Sequence, residues 1–224
     1  MSAFTNLSLC FDLDGTLIDT APDLVRVLNA VIAEEGLGET NFNEARKAVG
    51  FGSRALINGA FARAGHDIAE ARVDELQKLF LELYADDICR LSKPFHGVVD
   101  TLKALQQSGA ELSVCTNKPG YLARPLIEAL GLTQLFVRII GGDDLVRNKP
   151  FADHIWKAAG HRGHRQKIIM VGDSLPDVLS AKNAKVPCLV MAYGYSTIPV
   201  VKLGGDKVLR NFREIVPAVL ELVT

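Results

Sequence analysis

Leu7-Ser8-Leu9-Cys10-Phe11-Asp12-Leu13-Asp14-Gly15-Thr16 joins a strand-like apolar run to two carboxylates two residues apart. Successive side chains of a strand point to opposite faces. If the chain opens into a loop after Asp12, both acids turn towards one pocket. Two carboxylates that close repel unless a cation or a shared proton offsets the repulsion. The pair therefore calls for a divalent metal, a division of acid and base roles, or both. Gly15 lets the backbone come close to a ligand, and the Thr16 hydroxyl can pin the loop.

Further along, short apolar runs recur, each followed by turn residues and a helical pattern. Strands are predicted at 7–13, 111–116, 136–140, 167–172 and 188–192, with amphipathic helices at 98–107, 121–130, 153–159 and 175–184. Strands alternating with helices imply right-handed crossovers and a parallel sheet covered on both faces. The unbroken Ile168-Ile169-Met170-Val171 suits such a doubly covered strand. Residues 21–91 break the alternation and read as helices only, at 22–35, 44–49, 54–64 and 68–85. Pro22 suits a first helical turn and Gly36 a helix end. The expectation is an α/β, Rossmann-like core of residues 1–20 and 92–224, with an all-helical cap domain, 21–91, inserted after the first strand. A last amphipathic helix is expected over 211–223.

Composition narrows the class. The 224 residues are 48% hydrophobic and 23% charged, enough for a real core. A net charge of −1 supplies no field for nucleic acid or an anionic membrane, so neither is an expected partner. No apolar run is long enough to span a bilayer and the first residues lack a signal-peptide pattern, so a cytoplasmic protein, monomer or homodimer, is expected. Cys10, Cys89, Cys115 and Cys188 form no CxxC pair and read as packed thiols. The basic stretch His161-Arg162-Gly163-His164-Arg165 and His66 read as exposed connections.

Open parallel sheets bind ligands at the carboxyl ends of their strands. At those ends stand Asp12 and Asp14; Thr116-Asn117-Lys118; Gly141-Gly142-Asp143-Asp144 followed by Lys149-Pro150; and Gly172-Asp173-Ser174 with Asp177. Packing does not account for carboxylates, a hydroxyl and an ammonium at several strand ends. In this ordered set the chain resembles the haloacid dehalogenase superfamily phosphatases, most of all the phosphoglycolate-phosphatase-like branch with a helical cap. The superfamily's four short motifs are matched by Asp12-Leu13-Asp14-Gly15-Thr16, Thr116, Lys149-Pro150, and Gly172-Asp173 with Asp177.

The resemblance implies a role for each residue. Asp12 would attack phosphorus and become an aspartyl phosphate. Asp14 would protonate the leaving alkoxide and then take a proton from the hydrolytic water. Thr116 would donate to a phosphoryl oxygen, and Lys149 would offset charge on the phosphoryl group and nucleophile. Thr16 and Asn117 belong to the implied substrate contacts. Mg²⁺ would be held by Asp12, Asp173 and the backbone carbonyl of Asp14, with Asp177 orienting that set. The implied substrate is a small phosphorylated metabolite, phosphoglycolate first, then sugar phosphates or pyrophosphate. A phosphomutase and a phospho-accepting receiver domain are the readings set against it. In a receiver, the accepting aspartate follows the paired acids and no seventy-residue helical insert interrupts the chain.

Each residue also has a plainer reading. Asp12 and Asp14 could form an Asx turn before a helix. Thr116-Asn117 could be an N-cap. Lys118 rivals Lys149 and is expected to be solvated or to line the entrance. Of Asp143 and Asp144, one could hold Lys149, or both could serve a helix N-terminus. In Gly50-Phe51-Gly52-Ser53-Arg54, which resembles a substrate-facing cap loop, Gly50, Gly52 and Ser53 would approach an anionic group and Arg54 would pair with it. The alternative is a helix–helix turn with a solvated arginine. Arg26 is a weaker candidate of the same kind. Three positions depart from the branch pattern: Phe151-Ala152-Asp153-His154 lacks its second proline, Phe95-His96-Gly97 lacks the proline before glycine, and Lys185 replaces a helix-ending glycine.

Overall fold

The computed structural model describes residues 4–160 and 166–223, so the basic stretch 161–165 lies outside it. In chain order the elements are β1 (Leu7–Phe11), β2 (Ile18–Asp19), α1 (Ala21–Ala33), α2 (Phe42–Arg46), α3 (Ser53–Ala64), α4 (Glu70–Asp86), β3 (Lys93–Pro94), α5 (Val98–Gln107), β4 (Glu111–Cys115), α6 (Gly120–Ala129), β5 (Arg138–Ile140), α7 (Ala152–Ala159), β6 (Lys167–Gly172), α8 (Leu175–Ala184), β7 (Cys188–Met191), β8 (Lys207–Leu209) and α9 (Ile215–Val223). The chain divides into two compact units: residues 1–18 with 94–224, and residues 19–93.

The larger unit is built on a six-stranded parallel sheet in the order β5-β4-β1-β6-β7-β8. β1 is therefore central, with Leu9 paired to Leu112 on one side and to Ile169 on the other. All five of its residues are buried, as a strand covered on both faces must be. On one face Cys10, Cys115, Met170, Cys188 and Val190 pack with Ile155 and Ala158 of α7 and Val178 and Ala181 of α8. Burial raises the thiol pKa of Cys10 to about 12 and pushes Cys115 and Cys188 up as well. These three are packing groups, as the sequence suggests. β8 and the two-residue β2 and β3 were not expected. β8 carries only three residues with mixed burial, too short for a periodic signal.

α8 ends where Lys185 takes a left-handed backbone, φ 58° and ψ 43°. That conformation costs a lysine roughly 1 kcal/mol relative to glycine, whose missing Cβ removes the clash. Lys185→Gly is expected to raise Tm by about 2–4 °C, read by thermal melting. An unchanged or lower Tm would mean that the freedom glycine adds to the unfolded chain cancels the gain.

The smaller unit is helical. α1 carries Pro22 in its first turn and buries Leu24, Val25, Leu28, Val31 and Ile32. α4 presents Val73, Leu76, Phe80 and Tyr84 as one buried stripe and packs on α1 and α3. The helix expected over 44–49 is instead the short α2 followed by a 3-10 turn, Val49–Phe51. Asp23 closes the unit on itself. Its Oδ2 accepts from the backbone N–H groups of Leu91 and Ser92 and from the Ser92 hydroxyl, at 2.7–2.8 Å.

Candidate active site

β1 delivers Asp12 to the end of the sheet while the Asp12 N–H still donates to the Val171 carbonyl, 2.9 Å, extending the pairing with β6. Asp173 and Asp177 come from the end of β6 and the first turn of α8, and Lys149 from the loop after β5. Ligand oxygens of Asp12, Asp173 and Asp177 lie within 4.8 Å of one another, and all three residues are buried. The Lys149 ammonium reaches Asp12 Oδ1 at 2.8 Å and Asp177 Oδ1 at 2.6 Å, with its side chain only 2% exposed.

Burial, opposed in part by Lys149 and reinforced by Asp177, raises the Asp12 carboxyl from 3.8 to about 6. Burial and the neighbouring Asp177 and Asp12 push Asp173 well up. Desolvation alone would lower the Lys149 pKa, but Asp12 and Asp177 outweigh it and hold the ammonium charged. Three buried carboxylates thus outnumber the ammonium bonded to two of them. A donor set made only of oxygens, with surplus negative charge and little water, fits a hard divalent cation such as Mg²⁺.

The acids are held rigidly. Asp173 Oδ1 accepts from the Thr16 hydroxyl at 2.9 Å, and its Oδ2 accepts from the Tyr195 N–H at 2.6 Å. Thr16, expected at the substrate, therefore has its hydroxyl proton committed to Asp173. Asp177 Oδ2 accepts from the N–H groups of Asp173 and Ser174 and from the Ser174 hydroxyl, closing a capping box at the start of α8. With Oδ1 on Lys149, the Asp177 carboxylate bonds both the ammonium and the α8 cap, which matches an orienting residue better than a metal ligand.

Close approach explains two glycines. Gly15 has φ +83°, and a Cβ there would lie 2.8 Å from Asp173 Oδ2. A Cβ on Gly194 would lie 2.2 Å from the same carboxylate. Tyr193 adds a hydroxyl that donates to the Thr16 carbonyl at 2.7 Å, with its ring 4.4 Å from that of Phe95. The loop after β7 therefore clasps the acidic loop. The sequence reading did not include it, although Tyr193-Gly194-Tyr195 follows a strand end as the other site segments do.

Thr116 sits at the end of β4, 1% exposed, its N–H on the Ile140 carbonyl. Its Oγ1 accepts from the Lys118 N–H at 3.2 Å, which leaves the hydroxyl proton to be donated. The N-cap of α6 is Pro119, so Thr116 is not that cap. Asn117 uses its amide to donate to the Lys149 carbonyl at 3.0 Å and so braces the lysine loop. Of the two places expected for Lys118, solvent or the entrance, the first does not hold. It is 8% exposed, with Nζ 3.2 and 3.3 Å from the two oxygens of Asp14. The pair is separated by 104 residues, so no local pattern announces it.

Neither Asp143 nor Asp144 holds Lys149. Asp143 accepts from the Gly120 N–H at the start of α6, and Asp144 from the Gly141 N–H while pairing with Arg124. Asp143 thus serves the N-terminus of α6, as the plainer reading has it, whereas Asp144 holds its own loop and Arg124.

In the helical unit, Gly50 lies in the 3-10 turn and Gly52 precedes α3 with φ +87°. Ser53 Oγ accepts from Gln77 at 3.1 Å, and Arg54 pairs with Asp74 and Glu70. The Arg54 guanidinium is thus paired inside its own unit, in a surface position open to water. Arg26 is engaged in the same way, with Asp23 and Asp87.

Comparison with known proteins places the chain in a family. The family model for haloacid dehalogenase-like hydrolases matches residues 9–191. The chain is 44% identical to a phosphoglycolate phosphatase of Agrobacterium fabrum over 94% of its own length and 91% of that protein. It is 40% identical to one of Caulobacter vibrioides, over 97% and 92%. Among solved structures, one described as a predicted phosphoglycolate phosphatase from Haemophilus somnus superposes with a TM-score of 0.87 at 29% identity, over 98% of this chain and 99% of that one. No helix among the described residues is long and apolar enough to cross a membrane.

Proposed function

Because this chain belongs to the haloacid dehalogenase-like hydrolases, we propose that it is a Mg²⁺-dependent phosphomonoester hydrolase with phosphoglycolate as its substrate. The observation that carries this reading is the convergence of Asp12, Lys149, Asp173 and Asp177 in one buried, hydrogen-bonded cluster. The names of the relatives support the choice of phosphoglycolate.

In this mechanism an Asp12 carboxylate oxygen attacks phosphorus in line. The new O–P bond forms as the bond from phosphorus to the substrate's ester oxygen breaks. Lys149, fixed against Asp12 at 2.8 Å, aims the nucleophile and offsets the phosphoryl charge. Thr116 donates its hydroxyl to a phosphoryl oxygen. Asp14 gives its proton to the departing alkoxide and then accepts one from water, which attacks the aspartyl phosphate, frees inorganic phosphate and restores Asp12. Lys118 keeps Asp14 aimed during both transfers. A bound Mg²⁺, held by Asp12, Asp173 and the Asp14 carbonyl, supplies electrostatic stabilisation of the phosphoryl oxygens. Thr16 and Tyr195 hold Asp173 in place for it.

Phosphate release from a panel of phosphorylated metabolites, ranked by kcat/KM, tests the proposal. Phosphoglycolate is expected to rank first, and excess EDTA to stop turnover. Readdition of Mg²⁺ should restore activity and raise Tm with its concentration, as binding to the folded state requires. A sugar phosphate at the head of the ranking would overturn the substrate assignment. Full activity in EDTA, or no effect of Mg²⁺ on Tm, would overturn the metal site.

A further inference from the structure

His154, the third residue of α7, has no part in the chemistry above and is completely buried. It stands in the stretch after Lys149-Pro150 where this chain departs from the branch pattern. Its Nδ1 accepts from the Lys149 N–H at 3.1 Å, so the ring proton belongs on Nε2, which lies 3.2 Å from the Ile140 carbonyl. That same carbonyl accepts from the Thr116 N–H at 3.1 Å. One unbroken path therefore runs from the Thr116 N–H through the Ile140 carbonyl and the imidazole to the Lys149 N–H. The other main-chain group of Lys149, its carbonyl, is taken by Asn117.

We propose that His154 is a positioning residue: a neutral imidazole that ties the Lys149 main chain to the carbonyl shared with Thr116 and so sets the spacing between the two phosphoryl contacts. The inference rests on the roles proposed for Thr116 and Lys149. The environment is consistent with a neutral ring, since burial and the nearby Lys149 charge lower its pKa to about 4. A misplacement of contacts by about an ångström is enough to lower a rate on the order of 100-fold. Because both contacts are to the phosphoryl group, the loss falls on kcat and not on recognition of the leaving group.

The experiment compares wild type with His154→Ala and His154→Asn, using p-nitrophenyl phosphate and phosphoglycolate. Asparagine places a carbonyl oxygen near the position of Nδ1 and restores the acceptor for Lys149. The alanine variant is expected to lose about 10- to 100-fold in kcat on both substrates, with KM changed less than about threefold. The asparagine variant should recover most of that loss even if its Tm stays as low as that of alanine. A folded alanine variant with wild-type kcat, or an asparagine variant that is folded but no more active than alanine, would overturn the proposal. Nitrogen-15 NMR of the wild-type imidazole at pH 7 gives a test independent of catalysis and of any variant's folding. A proton on Nε2 supports the bridge, and a proton on Nδ1 overturns it. If the wild type released phosphate from no ester, the functional reading would fail, while the NMR result would still judge the bridge.

Discussion

Asp12→Asn is expected to lower kcat by on the order of 10⁴-fold or more without loss of the fold. The amide has the size of the carboxylate and keeps an oxygen near Lys149, but its oxygen is a far poorer nucleophile towards phosphorus. The same substitution makes a separate thermodynamic prediction for the metal-free protein. Burial raises the Asp12 carboxyl from 3.8 to about 6, so the folded state holds the proton more tightly than the unfolded chain does. Asp12 therefore costs no stability below pH 4. Its cost grows as pH rises through the window to about 6 and is complete above it. Asparagine carries no such cost. In EDTA, the Tm advantage of the variant over wild type should widen between pH 4 and pH 8. Phosphate release within tenfold of wild type would end the nucleophile assignment, and a Tm difference independent of pH would end the electrostatic argument.

Lys149→Met is expected to damage both catalysis and folding. The ammonium is 2% exposed and bonded to two buried carboxylates, so its removal leaves Asp12 and Asp177 without their shared counter-charge. Breaking one side of a buried ion pair costs about 3–5 kcal/mol. For a chain of this length that corresponds to a fall in Tm of roughly 6–20 °C in EDTA. Loss of one preorganised charge on the phosphoryl group should lower kcat by about 10²–10³-fold. Mg²⁺ should raise the Tm of the variant more than that of wild type, since the cation meets less competition for the acids. Calorimetry with and without Mg²⁺ checks the two stability points, and phosphate release checks the rate. A metal-free Tm within 2 °C of wild type would show that the carboxylates do not need the lysine.

The parts of this molecule legible in its sequence are those whose signal is local. β1, β4 and β6 announce themselves as apolar runs ending in chemistry-bearing residues, and the convergence of Asp12, Lys149 and Asp173 follows from the strand-end rule. The left-handed Lys185 could also be read, because a lysine stands where a helix must stop. What the sequence did not yield depends on pairing across long separations. Lys118 looked like a solvated or entrance-lining cation until Asp14 was beside it. Asp143 looked available to Lys149 until the Gly120 N–H claimed it. Thr16 looked like a ligand contact, yet its hydroxyl is spent on Asp173. Arg54 illustrates the same limit in the helical unit, where Glu70 and Asp74 of α4 are its partners. A single sequence shows which groups want a partner and leaves open which partner they find.

The central place of β1 also has a consequence for the order of events on the ribosome. The strand that carries Asp12 is synthesised first, yet its neighbours, at Leu112 and Ile169, emerge only after the whole helical unit has been made. Non-local pairing of this kind makes for slow folding and leaves apolar strands exposed in the meantime. The helices of residues 19–93 find their contacts within that unit and need not wait for β4 or β6. Asp12 thus leaves the ribosome ahead of Lys149 and Asp173, and it waits for them until β6 closes the sheet beside it.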